Sequence, residues 1–232
     1  MEILKAHSLT KKYMRKTVLD NIDISLDQGK VYGLLGPNAS GKTTLMKLIA
    51  GITQPTAGTL EVNGYPVGTE TKRTVAYLPT VNPLPKWMTV GRCLNFYRDF
   101  FEDFNYKLAE ERMELMGLKE NQKLASLSTG MLGRLKIILA MSREAKLYLL
   151  DEPLNGLDPI SRDKVLQMIL ASAGEENTIL LATHIINEIE GIMDEVIFLN
   201  QGRVALAGAV ETLRETRKMS MEELYKEVCG ND

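Results

Sequence analysis

The stretch LLGPNASGKTT (residues 34–44) decides the fold. Within it, Gly36-x-x-x-x-Gly41-Lys42-Thr43 has the spacing of a phosphate-holding turn. Val31–Leu35 ahead of it reads as a short apolar strand, and 42–50 after it reads as a helix stopped by Gly51. Each residue type has its own physical reason. Gly36 and Gly41 let backbone N–H groups come close to phosphate oxygens. The start of the helix adds the positive end of its dipole. Lys42 brings a point charge to the β- and γ-phosphates, and the Thr43 hydroxyl can ligate Mg²⁺.

A second stretch answers the first. LYLLDEP (147–153) is four apolar strand residues followed by Asp151 and Glu152. Taken alone, it marks only a strand ending in solvated charges. Set parallel to the strand before the glycine turn, it delivers both carboxylates to the same end of the sheet. There Asp151 organises Mg²⁺ through water, and Glu152 polarises an attacking water as general base. Two smaller pieces complete the set. LSTGM (127–131) is a small-residue turn at the head of a helical pattern, and Thr183-His184 follows a strand at 178–182. His184 lies one strand beyond the carboxylates, within range of a γ-phosphate. His7 has no such neighbours and reads as structural or simply exposed.

The remaining chain organises around these pieces. The first thirty residues alternate as β, and GTLEVNGYPV (58–67) reads as a hairpin before another strand at 75–78. Beyond the proline-bearing PTVNPLPKW (79–87), three helical patterns follow at 89–101, 106–116 and 128–143, with Thr89 and Ser128 as N-caps. From 146 the βα alternation resumes: strand 147–150, helix 159–172, strand 178–182, helix 186–192 and a hairpin at Asn200-Gln201-Gly202. Polar helices at 209–218 and 221–228 close the chain. The expectation is one α/β unit, 1–82 and 141–232, interrupted by a helical insert at 83–140.

Composition narrows the function. The 232 residues include 28 Lys+Arg against 30 Asp+Glu, which argues against a basic nucleic-acid face. The run Lys11 to Lys16 is therefore read as a solvated turn flanking Tyr13, and the charged RETRKMSMEELYKEV as an amphipathic terminal helix. The twelve methionines read as gap-filling core residues. Cys93 and Cys229 stand in no metal-ligand spacing and are expected as unpaired thiols of a reducing cytosol. No apolar run has the length of a signal peptide or of the ~20 residues needed to cross a bilayer.

In this order and spacing the motifs resemble the nucleotide-binding subunit of an ATP-binding cassette (ABC) transporter, over nearly the whole chain. The resemblance implies a P-loop NTPase (RecA-like) α/β core with an N-terminal antiparallel β subdomain and an inserted α-helical subdomain. It also implies ATP and Mg²⁺ as cofactors. Tyr13 would stack on adenine. Gly36, Pro37, Asn38, Ala39, Ser40, Gly41, Lys42, Thr43 and Thr44 would form the Walker A loop. Thr43, Asp151 and Thr80 would serve the metal, and Glu152, His184 and Lys42 the reaction. Ser128 and Gly130 of the signature, with Asp158 of the GLD segment 156–158, would complete the nucleotide site of a second cassette, a homo- or heterodimer closing head-to-tail. Docking on membrane-spanning subunits through a groove near 80–100 follows from the same resemblance. So do a cytoplasmic location at the inner face of the cell membrane and no nucleic-acid partner.

Four positions depart from the family's pattern. Thr129 and Met131 replace a glycine and the glutamine of Leu-Ser-Gly-Gly-Gln. Ala39 stands where glycine is usual, a small change if its φ is negative. Thr80 replaces the Q-loop glutamine with a shorter hydroxyl, which puts the coupling of Mg²⁺ to the insert in question. The stretch FYRDFFEDFNYKLAEERMELMGL (96–118) resembles the insert of exporter-type bacterial cassettes serving antibiotic-peptide resistance. The competing expectations are an ABC ATPase acting on ribosomes or DNA, and a degenerate cassette that binds ATP without hydrolysing it.

Overall fold

A computed structural model describes residues 1–230. Its strands are β1 (Glu2–Tyr13), β2 (Lys16–Asp27), β3 (Val31–Leu35), β4 (Ala57–Val62), β5 (Tyr65–Pro66), β6 (Val75–Leu78), β7 (Leu147–Asp151), β8 (Thr178–Thr183), β9 (Glu195–Asn200) and β10 (Arg203–Ala209). Its α-helices are α1 (Lys42–Ile49), α2 (Thr69–Thr74), α3 (Val90–Phe100), α4 (Tyr106–Leu115), α5 (Thr129–Met141), α6 (Pro159–Ser172), α7 (Ile186–Ile189), α8 (Val210–Arg217) and α9 (Met221–Cys229).

Two sheets form. A four-stranded antiparallel sheet runs β2-β1-β4-β5, and a six-stranded sheet runs β10-β9-β3-β8-β7-β6. The second is parallel from β9 to β6, with β10 antiparallel at one border. Its central strands are apolar on both faces, as a covered parallel sheet requires. Tyr32, Leu34, Leu149 and Leu180 enter one core with α1 and the antiparallel sheet. Their neighbours Val31, Leu35, Leu150 and Leu181 enter the other with α3, α4 and α5. The expected N-terminal β unit and the helices of 83–140 thus pack on opposite faces of one sheet.

Local signals place the helix starts. Thr89 Oγ1 accepts from the amide of Arg92, and Ser128 Oγ accepts from that of Met131, both as expected of N-caps. The third helical pattern ends at Met141, two residues short of the expected 143. The segment expected as one helix at 186–192 is α7 followed by a 3₁₀ turn.

Arg143, just beyond α5, fastens the insert to the sheet. Its guanidinium pairs with both carboxylate oxygens of Asp103 at 2.9 Å, donates to the carbonyls of Val75 (2.7 Å) and Arg73 (3.1 Å), and lies 4.1 Å from the centre of the Phe101 ring.

Both cysteines are buried. Burial raises the Cys93 thiol to about 11. At pH 8 only about one molecule in a thousand then carries the reactive thiolate. Iodoacetamide is expected to leave Cys93 unmodified in the native chain and to label it in urea, with peptide mass spectrometry as the readout; native labelling at the unfolded rate would contradict its packing.

Candidate nucleotide site

The carboxyl ends of β3, β7 and β8 converge on one cavity of about 580 Å³. Its walls include Tyr13, Asn38, Ala39, Gly41, Lys42, Thr43, Thr44, Thr80, Asp151, Glu152 and His184, so most of the expected residues meet in one place.

The turn at 36–41 is built against β9. A Cβ on Gly36 would lie 2.1 Å from the carbonyl oxygen of Leu199, so no side chain fits there without moving backbone. Gly41 has φ +113, which suits glycine. Ala39 departs from expectation: its φ is +64, not negative, so alanine occupies a left-handed turn position at a cost of about 1–2 kcal/mol.

Lys42 is buried, and its ammonium donates to the carbonyls of Gly36 (2.7 Å) and Pro37 (3.0 Å). Desolvation pushes its pKa down, while Glu152 and Asp151 pull it back up. The charge is thus aimed at the turn before any phosphate competes for it. Thr43 donates its hydroxyl to Asp151 at 3.2 Å. A hydroxyl and one carboxylate at this separation are hard oxygen donors of the kind Mg²⁺ takes when phosphates and water fill its remaining positions. Among the described residues there is no cluster of three or more His, Cys, Asp or Glu side chains that would make a closed metal site. Sequence reading missed Tyr77, whose hydroxyl reaches the second oxygen of Asp151 at 3.5 Å. Burial pushes that phenol far up, so it stays a donor.

Glu152 has φ +53, which turns its side chain off the end of β7. Its carboxylate accepts from Thr183 Oγ1 (3.2 Å), and His184 Nδ1 stands 3.0 Å from each oxygen. A carboxylate fixed by two partners and open on one side can receive a proton from water.

The other expected residues sit differently. Tyr13 is half exposed at the rim, with Lys11 Nζ 4.9 Å from its ring centre. Lys16, assigned to a solvated turn, also lines the cavity. Gly36, Pro37 and Ser40 shape the turn from behind. Ser128, Gly130 and Asp158 lie outside this cavity: Ser128 caps α5, and Asp158 caps α6 through Ser161. Thr80, Glu152 and Asn155 line both this cavity and a smaller one of about 340 Å³, walled also by Thr129, Gly133 and Lys136. Lys136, on α5, donates to the carbonyls of Pro79 (2.8 Å) and Thr80 (2.9 Å). Among the described residues no helix is long and apolar enough to cross a membrane.

Residues 19–155 match the family model described as ABC transporter. The chain is 30% identical, over 91% of its length and 71% of the relative's, to the Uncharacterized ABC transporter ATP-binding protein YcbN of Bacillus subtilis (strain 168). It is likewise 30% identical to the Bacitracin transport ATP-binding protein BcrA of Bacillus licheniformis, over 95% of this chain and 74% of that one. A solved structure described as an ATP binding subunit of ABC transporter superposes with a TM-score of 0.88 at 29% identity, covering 97% of this chain and 99% of the other.

Proposed function

The chain belongs to the ABC transporter family, as an ATP-binding and ATP-hydrolysing subunit, and from that membership we propose the division of labour among its residues. Lys42 and the amides of 36–44 hold the triphosphate, and Tyr13 stacks on adenine. Thr43, Asp151 and Thr80 would hold Mg²⁺, which when bound supplies neutralising charge at the phosphates. Glu152 accepts the proton of the attacking water, with Thr183 and His184 fixing its carboxylate. Ser128, which is exposed, and Gly130, which is half-buried, lie away from their own chain's cavity and cover the γ-phosphate on a second cassette, with Asp158 at that junction. Closure and reopening of this dimer then drive membrane-spanning subunits, to which the chain attaches peripherally at the inner face of the membrane. The likeness to a bacitracin transport protein supports export as the direction.

The observation that carries this reading is the meeting of Lys42, the Thr43–Asp151 pair and the Glu152–His184 pair around one cavity. A cassette that only senses ATP would need the first two of these but not the Glu152–His184 pair. The test is Lys42→Ala. Removing the ammonium leaves phosphate charge uncompensated, so Mg²⁺-dependent ATP binding should weaken by about 10- to 100-fold, the worth of hydrogen bonds to a charged group. Calorimetry giving equal affinity for both proteins would remove Lys42 from the site.

A further inference from the structure

We propose that Lys136 is the positioning residue that transmits movement of the loop after β6 to the signature end of α5. The inference rests on the reading of 127–131 as the part that closes on a second cassette.

Thr80 lies, with Glu152 and Asn155, on the wall shared by the two cavities, so its loop faces both the nucleotide site and the insert. Its side chain is shorter than the glutamine usual at this place in the family. The bridge runs instead from the insert side. Lys136 is half-buried, and its ammonium reaches across to the carbonyls of Pro79 and Thr80 at 2.8 and 2.9 Å. Charge-assisted bonds in a partly desolvated place are about twice as strong as neutral ones, and two of them on adjacent carbonyls fix position as well as distance. They involve backbone only, so the link does not depend on which side chain stands at position 80.

The other end of the link is a rigid helix. Lys136 follows the Ser128 cap by eight residues, about 12 Å of helix at 1.5 Å per residue. A displacement of the Thr80 backbone toward or away from the nucleotide is therefore passed to Ser128 and Gly130 without a flexible joint. Burial pushes the pKa of the Lys136 ammonium down, and the charge of Asp151 pulls it partly back up. The carbonyl pair compensates for that burial, which is why an ammonium can stay in place here.

The test separates nucleotide affinity from closure. Lys136→Met keeps the stem and removes the donor; Lys136→Arg keeps a donor; Lys136→Gln keeps a neutral one. In a Glu152→Gln background, Lys136→Met should bind ATP within about twofold of its parent but dimerise only at about tenfold higher protein concentration, the loss of one charge-assisted link. Lys136→Gln should fall between, and Lys136→Arg should match the parent. Hydrogen exchange on the monomeric full chain gives the second readout. ATP should alter exchange in 127–133 of the wild type and of Lys136→Arg, and only in 36–44 of Lys136→Met. Unchanged dimerisation together with an unchanged exchange response in Lys136→Met would overturn the proposal. Loss of ATP affinity in the same variant would also overturn it, since the residue would then be part of the fold or of the site. If the Glu152→Gln parent itself never dimerises, the clamp reading fails, and exchange in 127–133 still decides the role of Lys136.

Discussion

Glu152→Gln should turn the chain into an ATP-trapped dimer whose hydrolysis is slower by about 100- to 10,000-fold, the usual worth of a positioned general base. The amide has the size of the carboxylate and keeps an oxygen for the Thr183 hydroxyl, which stands 3.2 Å away. His184 Nδ1, 3.0 Å from both oxygens, can present either tautomer to the amide. The site therefore keeps its geometry and loses only the ability to take a proton. ATP held by Lys42 of one chain and covered by Ser128-Gly130 of the next would bridge two copies twice, and with cleavage blocked the closed form accumulates by mass action. On gel filtration the variant should elute as a dimer with ATP and as a monomer with ADP. Adding Ser128→Arg should abolish the dimer, because a bulky cation replaces the exposed cap of α5. A dimer that forms without ATP, or one indifferent to Ser128, would rule out the clamp.

Asp103→Ala should cost about 3 kcal/mol, the lower end for breaking a buried ion pair from one side. The pair is asymmetric: Arg143 is 5% exposed and Asp103 22%. Removing the carboxylate leaves a guanidinium inside the protein with only the carbonyls of Val75 and Arg73 and the Phe101 ring for company. For a chain of this size the melting temperature should fall by roughly 6–12 °C. Arg143→Met/Asp103→Leu, which removes both charges, should recover much of the loss. An unchanged melting temperature in Asp103→Ala would show that the pair holds nothing together. ATP binding, measured well below the transition, should survive, because neither residue lines the nucleotide cavity.

Much of this was legible because it is local. The glycine turn, the apolar runs of β3, β7 and β8, and the caps at Thr89 and Ser128 are properties of neighbouring residues, and period and spacing report them directly. The residues that escaped are those whose meaning lies far away in sequence. Tyr77 gains its role only when β6 is laid beside β7, and Lys136 only when α5 is laid across the loop at 79–80. Lys16 looked like one charge in a solvated run until the β1–β2 turn folded over the phosphate loop. α2 escaped for a different reason: only Thr71 of its six residues is buried, so it has no apolar stripe to find. The φ of Ala39 depends on how the whole turn rests against β9, which no single residue type announces.

The strand that the insert grips is the last in its sheet. Among the described residues, β6 pairs with β7 on one side and with no strand on the other. A border of this kind offers bare carbonyls and amides on which a foreign strand can grow. Here Arg143 occupies the carbonyl of Val75 at its start, and Lys136 those of Pro79 and Thr80 just past its end. Two cations seven residues apart thus occupy backbone acceptors at both ends of the border strand. A strand arriving from another copy would find backbone acceptors at both ends of this border already taken.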